Sequence, residues 1–141
     1  MKRISERLKE SIKPVNAHCD VPCGIYETQT MQLAAASCKQ MVEKYQELGE
    51  VDDEEPNSMN QAIRIVMMKE EHARLCKEQL YLLWSDYFKP EHLQQFPDLH
   101  TVFWDAAKQC GKVKQTMDMA ECQKLIDMVH DISHMFEESK K

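Results

Sequence analysis

The chain has 141 residues and a formal net charge of −6 at pH 7, which is enough length for one domain with a hydrophobic core. The negative charge and the absence of a basic stripe argue against nucleic-acid binding, and no apolar run is long enough to cross a bilayer. Only three glycines and five prolines interrupt a sequence rich in Leu, Glu, Lys, Gln and Met. Because strand-favouring residues are comparatively few, we expect an all-α fold.

The first 26 residues divide into two segments that are not expected to belong to the helical core. Residues 1–17 carry charges throughout and lack the apolar stretch of a secretory signal. Their apolar positions, four residues apart, make too thin a stripe to fold alone. Residues 18–26 contain Pro22 and Gly24, which predict an irregular hook.

Four amphipathic helices are predicted after the hook, because apolar residues recur there at spacings of three and four. Their predicted extents are about 28–48, 57–87, 97–111 and from 118 onward. Four apolar stripes joined by short or moderate loops are most simply buried in an antiparallel four-helix bundle, which we place at residues 27–141. The stripe of the second helix includes Ile63 and Met67 among its predicted core residues.

Several residues predict where these helices begin and end. Gly49 is a suitable C-terminal cap for the first helix, and Asn57 or Ser58 can cap the second. Pro97 suits the first turn of the third helix. Asp118 followed three residues later by a glutamate resembles a capping box for the fourth.

The six cysteines do not form the pattern of a disulfide framework. Four of them lie singly within or beside apolar stripes, where free cysteine is usually a packed core residue. These are Cys38, Cys76, Cys110 and Cys122. The chain is also longer than the small scaffolds that need disulfide bridges. A reducing, cytoplasmic location is therefore expected.

The hook carries the donor atoms of a possible metal site. Cys19 and Cys23 are four residues apart around a proline, and His18 directly precedes the first of them. One histidine and two thiolates form a soft nitrogen and sulfur donor set that suits nickel, copper or zinc. Two cysteines at this spacing are a weak signal on their own, since a pair of buried thiols would look the same.

The whole hook is more specific than its cysteine spacing. The string His18-Cys-Asp-Val-Pro-Cys-Gly-Ile-Tyr26 closely resembles the nickel hook of the nickel superoxide dismutases. A second resemblance to that family lies in Leu83-Trp-Ser-Asp-Tyr-Phe-Lys-Pro90 followed by Phe96-Pro-Asp-Leu-His100. Both blocks occur in the same order as in the family, and the resemblance extends from His18 to the C-terminus.

The resemblance implies a set of metal ligands. Residues 1–17 would be a leader that a peptidase removes, cutting between Ala17 and His18. His18 would then bind one nickel per subunit through its new α-amine and its imidazole. Cys19 would bind through its backbone nitrogen and thiolate, and Cys23 through its thiolate. Square-planar nitrogen and sulfur ligation suits Ni(II), and an axial imidazole suits Ni(III).

The resemblance also implies an activity and an assembly. The substrate would be superoxide, converted to O₂ and H₂O₂ by Ni(II)/Ni(III) cycling. Tyr26 would lie near the open face of the nickel, where its phenol gates access or holds water as a hydrogen-bond donor. The family assembles as a homohexamer, and the sequence itself carries no direct sign of the oligomeric state.

Two positions depart from the family pattern, and two other functions remain open. Ala34 stands where some members have a glutamate that orients the axial histidine, and His72 stands where those members have its arginine partner. His72 either substitutes for that partner or is simply solvated. The alternatives to a dismutase are a non-catalytic zinc or nickel carrier or sensor, and a structural bundle with a redox-labile pair of hook cysteines.

Overall fold

The computed structural model describes Val21 and residues 24–141, and this part of the chain contains helices but no strand. The four main helices are α1 (Gln29–Leu48), α2 (Pro56–Leu82), α3 (Leu99–Gln115) and α4 (Met119–Glu138). A π-helical turn, Leu83–Tyr87, extends α2, and a short 3₁₀ helix, Pro90–Gln94, lies in the connection to α3. The predicted all-α fold is confirmed, whereas residues 1–20, Pro22 and Cys23 lie outside the described part.

The helices form an antiparallel bundle in which each helix packs against two neighbours. Helix α1 contacts α2 and α4, and α3 contacts the same two helices. Opposite ends meet in the pairs α1–α4 and α2–α3. Thr28, just before α1, bonds Ser133 near the end of α4, and Trp84 at the end of α2 bonds His100 at the start of α3. These side-chain contacts confirm the predicted antiparallel arrangement.

The core is a continuous cluster of buried apolar side chains contributed by all four helices. Aromatic residues concentrate at one end, where Phe88, Phe103 and Phe136 pack with residues of the α2–α3 connection. Each helix also contributes alanine or cysteine side chains to this cluster. The aromatic end is also the end at which the chain enters α1, so the predicted hook joins the bundle beside these rings.

The observed helix termini confirm two predicted caps. Gly49 ends α1 with a φ of 68°, a left-handed conformation that glycine adopts without strain. Asp118 begins α4, where its carboxylate accepts a hydrogen bond from the N–H of Ala120 at 2.8 Å. The capping box is not completed as predicted, because Glu121 instead accepts hydrogen bonds from Gln109 on α3.

The predicted starts of α2 and α3 were wrong by one to three residues. Glu55 caps α2, since its carboxylate accepts from the N–H groups of Asn57 and Ser58, and Pro56 occupies the first turn. A carboxylate can replace the shorter caps here because it reaches two N–H groups at the positive end of the helix. Helix α3 begins at Leu99 instead of Pro97, and it continues past Gly111 to Gln115.

The predicted core stripe of α2 was wrong at Ile63 and Met67, whose side chains are 49% and 64% exposed. Lys69 is buried instead, with 1% exposure. Its ammonium donates hydrogen bonds to the carbonyls of Val113 at 2.8 Å and Lys114 at 3.0 Å, and also to that of Thr116. Lysine can cap the C-terminal carbonyls of a helix in this way.

Helix lengths explain this difference. Helix α2 has 27 residues and α3 has 17, so α2 is about 15 Å longer at 1.5 Å per residue. Because Lys69 reaches the last carbonyls of α3, the turns of α2 before Lys69 extend beyond the end of α3. Ile63 and Met67 lie on that projecting part, which α3 does not cover.

Candidate metal centre

The described chain resumes directly after the predicted ligands. His18, Cys19 and Cys23 all lie outside the described residues, so their assignment as ligands stays a prediction. Gly24, the next residue, has a φ of 95°. This conformation is strained for any residue with a Cβ atom, so a glycine is required for the backbone to turn here. The backbone conformation of Gly24 is thus consistent with the irregular hook predicted from Pro22 and Gly24.

Tyr26 is half-buried and packs on an aromatic cluster at the end of the bundle. Its ring centroid lies 5.5 Å from that of Tyr87, at an angle of 60°. Tyr87 is itself fixed on several sides. It lies 4.7 Å from Phe136 and stacks on His92 at 5.8 Å, and its hydroxyl is 2.8 Å from the Ser139 hydroxyl. The ends of α2 and α4 therefore form a firm support for Tyr26.

The contact between Tyr26 and Tyr87, which lies at the end of the predicted second helix, was not anticipated from the sequence. The backbone N–H of Phe88 donates to the carbonyl of Leu83, five residues earlier, at 3.2 Å. Such a π-type turn interrupts the regular helical spacing, and Tyr87 nevertheless packs against the core cluster as a half-buried residue. The sequence signal for this contact was the presence of aromatic residues just before the proline that ends the helix.

A polar network ties the start of α1 to α4. The hydroxyls of Thr28 and Ser133 are 2.8 Å apart, and the side-chain amide of Gln32 donates to both, at 3.2 Å and 3.0 Å. Thr28 occupies the N-cap position but makes no side-chain cap bond. Glu27 takes over that role, accepting from the N–H of Thr30 at 3.0 Å. The hydroxyl of Thr28 is therefore used between helices.

The two blocks of the second sequence resemblance meet in space. The indole N–H of Trp84, from the first block, donates to Nδ1 of His100, from the second, at 2.9 Å. This bond requires the His100 tautomer with its proton on Nε2. The Trp84 ring also stacks on Phe103 at 6.1 Å. These residues fix the connection between α2 and α3 beside the aromatic cluster.

The four bundle cysteines are buried in the core, one from each helix, as predicted. Burial raises the pKa of Cys38 to about 12 and also raises that of Cys122. A hydrogen bond with Cys110, followed by burial, raises the pKa of Cys76. Protonated thiols are poor ligands and poor nucleophiles. Within the described residues, no group of three or more histidine, cysteine or acidic side chains could hold a metal ion.

Comparison with known proteins identifies the family. The profile of the nickel-containing superoxide dismutases matches residues 13–140. A nickel superoxide dismutase from Streptomyces seoulensis is 39% identical over 127 residues, covering 90% of this chain and 91% of the relative. One from Streptomyces coelicolor is 36% identical over 127 residues, with the same coverage. The chain belongs to the nickel-containing superoxide dismutase family.

Solved structures of the family agree with this fold. A native nickel superoxide dismutase superposes with a TM-score of 0.75 at 36% identity, covering 88% of this chain and 100% of the other. A structure whose nickel ligation corresponds to the oxidised state gives a TM-score of 0.76 at 37% identity, with coverages of 87% and 98%. Family membership makes this chain an oxidoreductase that dismutes superoxide with nickel as its cofactor. The carrier or sensor alternative is not favoured.

The residues of this chain fit the cofactor of the nickel-containing superoxide dismutase family. The predicted ligands, a histidine and two cysteines, would supply soft donors of the kind that nickel accepts. The other four thiols are buried in the bundle core, away from the solvent from which a metal would bind. No helix in the described part of the chain is long and apolar enough to cross a membrane.

The two departures from the family pattern have clear positions in the bundle. Ala34 is buried on α1. His72 is half-buried on α2, where its Nδ1–H donates to the carbonyl of Met68 at 2.8 Å. One ring nitrogen is thus used within its own helix, leaving Nε2 for any other contact. Both predictions for His72, that it substitutes for the arginine partner and that it is simply solvated, stay open.

Proposed function

We propose that the chain is the precursor of a nickel superoxide dismutase and that its nickel ligands are His18, Cys19 and Cys23. The observation that supports this assignment is the conformation and packing of the residues that directly follow the predicted ligands. Gly24 turns the backbone immediately after Cys23, and Tyr26 packs on the end of the bundle. A short segment of chain therefore connects the predicted ligands to the aromatic cluster at the end of the bundle.

Maturation is part of the proposed ligand set. A peptidase would cut between Ala17 and His18, and the α-amine created by the cut would become a ligand. The imidazole of His18, the backbone nitrogen and thiolate of Cys19 and the thiolate of Cys23 would complete the set. When bound, nickel supplies the one-electron Ni(II)/Ni(III) couple that dismutation of two superoxide ions to O₂ and H₂O₂ requires.

Tyr26 is proposed to control access to the metal rather than to supply protons. Its phenol can donate a hydrogen bond to a bound water or to superoxide, whereas an ordinary tyrosine pKa near 10 makes it a poor acid at neutral pH. The contact with Tyr87 supports this role, because a ring held at 5.5 Å from a fixed neighbour keeps a defined position.

Assembly and location are the remaining parts of the proposal. We propose a homohexamer in the cytoplasm. Large apolar side chains on the surface support an assembly, with Leu33 70% exposed and Trp104 53% exposed alongside the projecting face of α2. Free thiols at the four bundle cysteines are compatible with a reducing compartment.

The experiment that tests the ligand assignment compares the precursor and the cleaved chain from cells supplied with nickel. Intact mass, nickel content and superoxide removal are measured on the same samples. We expect a mass beginning at His18, about one nickel per chain, and activity in the cleaved sample alone. Cys19→Ser and Cys23→Ser should abolish nickel binding and activity, whereas Cys122→Ala, which removes a buried thiol of the bundle, should retain both. Full activity of the uncleaved chain would contradict the assignment.

A further inference from the structure

Thr28 is the first residue that is firmly fixed after the predicted hook. It is buried, and it lies directly before α1. Its hydroxyl contacts Ser133 on α4 and the side chain of Gln32 on α1. Helix capping does not explain this arrangement, since Glu27 provides the side-chain cap. The threonine hydroxyl instead connects two helices at the point where the hook begins.

We propose that Gln32 and Ser133 are positioning residues for the metal centre. By holding Thr28 against α4, they set the direction in which the chain leaves the bundle toward Tyr26 and the nickel ligands. This inference rests on the proposed function, and it adds residues of α1 and α4 that the ligand assignment does not contain.

Two separate attachments make this positioning effective. Tyr26 is held by Tyr87 at the end of α2, and Thr28 is held by Ser133 on α4. A chain spans at most about 3.6 Å per residue, so these attachments lie within about 7 Å of each other along the backbone. One attachment would allow the segment to rotate about it. Two attachments to different helices fix its orientation.

The polar character of the second attachment supports a positional role. Hydrogen bonds require a narrow range of distance and angle, whereas an apolar contact tolerates sliding. The three side chains form a closed set in which each contacts the other two at 2.8 to 3.2 Å. Removing the Ser133 hydroxyl would leave the buried Thr28 hydroxyl with one partner fewer, at a cost confined to this junction.

The first test measures amide hydrogen exchange in the metal-free full chain. Ser133→Ala should accelerate exchange in residues 25–32 about threefold to tenfold, and leave amides of α2 and α3 unchanged. Ser133→Thr, which keeps a hydroxyl, should restore the parent rates. Ser37→Ala is the matched control, because the Ser37 hydroxyl donates only to Leu33 within α1. Equal acceleration by both alanine variants would overturn the proposal.

The second test measures the nickel dissociation constant of the cleaved chain by competition with a chelator. Ser133→Ala should weaken binding about threefold to tenfold, with rescue by Ser133→Thr. Faster exchange with unchanged nickel affinity would reduce the network to a tie between helices and overturn the positioning role. If the parent chain itself bound no nickel, the proposed function would fail and the positioning role with it. The exchange comparison distinguishes that failure from a failure of the junction alone.

Discussion

The two ends of the bundle are stabilised in different ways. At the end that carries the predicted hook, aromatic rings and hydroxyls from several elements make many contacts, including those of Tyr87 with Tyr26 and Phe136. At the opposite end, the ammonium of Lys69 holds the last carbonyls of α3. One end distributes its stability over several interactions, whereas the other depends heavily on one side chain.

The difference between the two ends indicates that losing one contact at the hook end costs little stability. The same loss is expected to disturb the geometry of the neighbouring contacts there. Each contact there is modest, and its loss leaves neighbours in place. At the opposite end a single substitution removes a buried charge and leaves several carbonyls unpaired. Four predictions test this contrast between the ends, in order of decreasing expected effect.

Lys69→Met should produce the largest loss of stability. The change removes the ammonium that contacts the carbonyls of Val113, Lys114 and Thr116, so these groups lose a buried partner. We expect the free energy of unfolding of the metal-free chain to fall by about 3 kcal/mol in urea denaturation. Lys124→Met, at an exposed position of α4, should change it by less than about 0.5 kcal/mol. Similar values for the two variants would contradict the special role of Lys69.

The buried thiols of Cys38, Cys76 and Cys122 should make the free energy of unfolding depend on pH. Burial raises the pKa of Cys38 from 9.0 to about 12, so the unfolded chain loses this proton at a lower pH than the folded chain. The stabilising effect is complete below pH 9 and is lost as the pH rises toward 12. Each such thiol contributes a slope of at most about 1.4 kcal/mol per pH unit.

Urea denaturation of Cys38→Ala at several pH values tests this expectation. The variant should lose stability less steeply than the parent chain above pH 9, and the two slopes should agree at neutral pH. Identical slopes over the alkaline range would show that Cys38 titrates normally. The remaining slope of the variant contains contributions from Cys76 and Cys122, whose pKa values are raised, and an opposing one from Lys69, whose pKa is lowered by burial.

Tyr87→Phe should have a smaller effect on stability at the hook end. The variant keeps the ring that supports Tyr26 but loses the hydrogen bond between the hydroxyls of Tyr87 and Ser139, 2.8 Å apart. We expect a loss of about 1 kcal/mol by thermal or urea unfolding. Tyr81→Phe, at an exposed tyrosine of the same helix, is the control and should be neutral. A loss as large as that of Lys69→Met would break the contrast between the ends.

Glu55→Gln should give the smallest effect. The N–H groups of Asn57 and Ser58 hold the pKa of the Glu55 carboxyl below its ordinary value of 4.5. The carboxylate therefore stabilises the fold at neutral pH, and this contribution is lost as the pH falls below 4.5 through the lowered pKa. We expect a slightly lower Tm at pH 7 and a difference that shrinks in acid. Glu54→Gln, at the preceding exposed residue, should leave Tm unchanged at both pH values.

The helices were predictable because the periodicity of apolar residues reflects the face that each helix buries. What the period could not give is how far a neighbouring helix extends. Ile63 and Met67 were wrongly placed in the core because the end of α3 is not encoded in the sequence of α2. Lys69 does lie at core spacing, between Val66 and Ala73, and this was the signal for its burial. Lys69 was not assigned to the core because charged side chains are rarely buried.

The predicted site came from the local string between His18 and Tyr26, since its ligands are neighbours along the chain. The supporting contacts could not be predicted in the same way. Tyr87 and Ser133 are distant from the hook in sequence, and only the antiparallel packing of α2 and α4 brings them to it. Donor atoms can therefore be read from a motif, whereas the residues that position them depend on the fold.

The projecting turns of α2 also indicate where local unfolding of the bundle begins. Residues before Lys69 lack the cover of α3, so local fraying is expected to start there and to progress toward the buried ammonium. The junction near Thr28 lies at the far end of the molecule from this weak point. Within the described residues, thermal fluctuations that start at these turns would then reach the end that carries the predicted hook last.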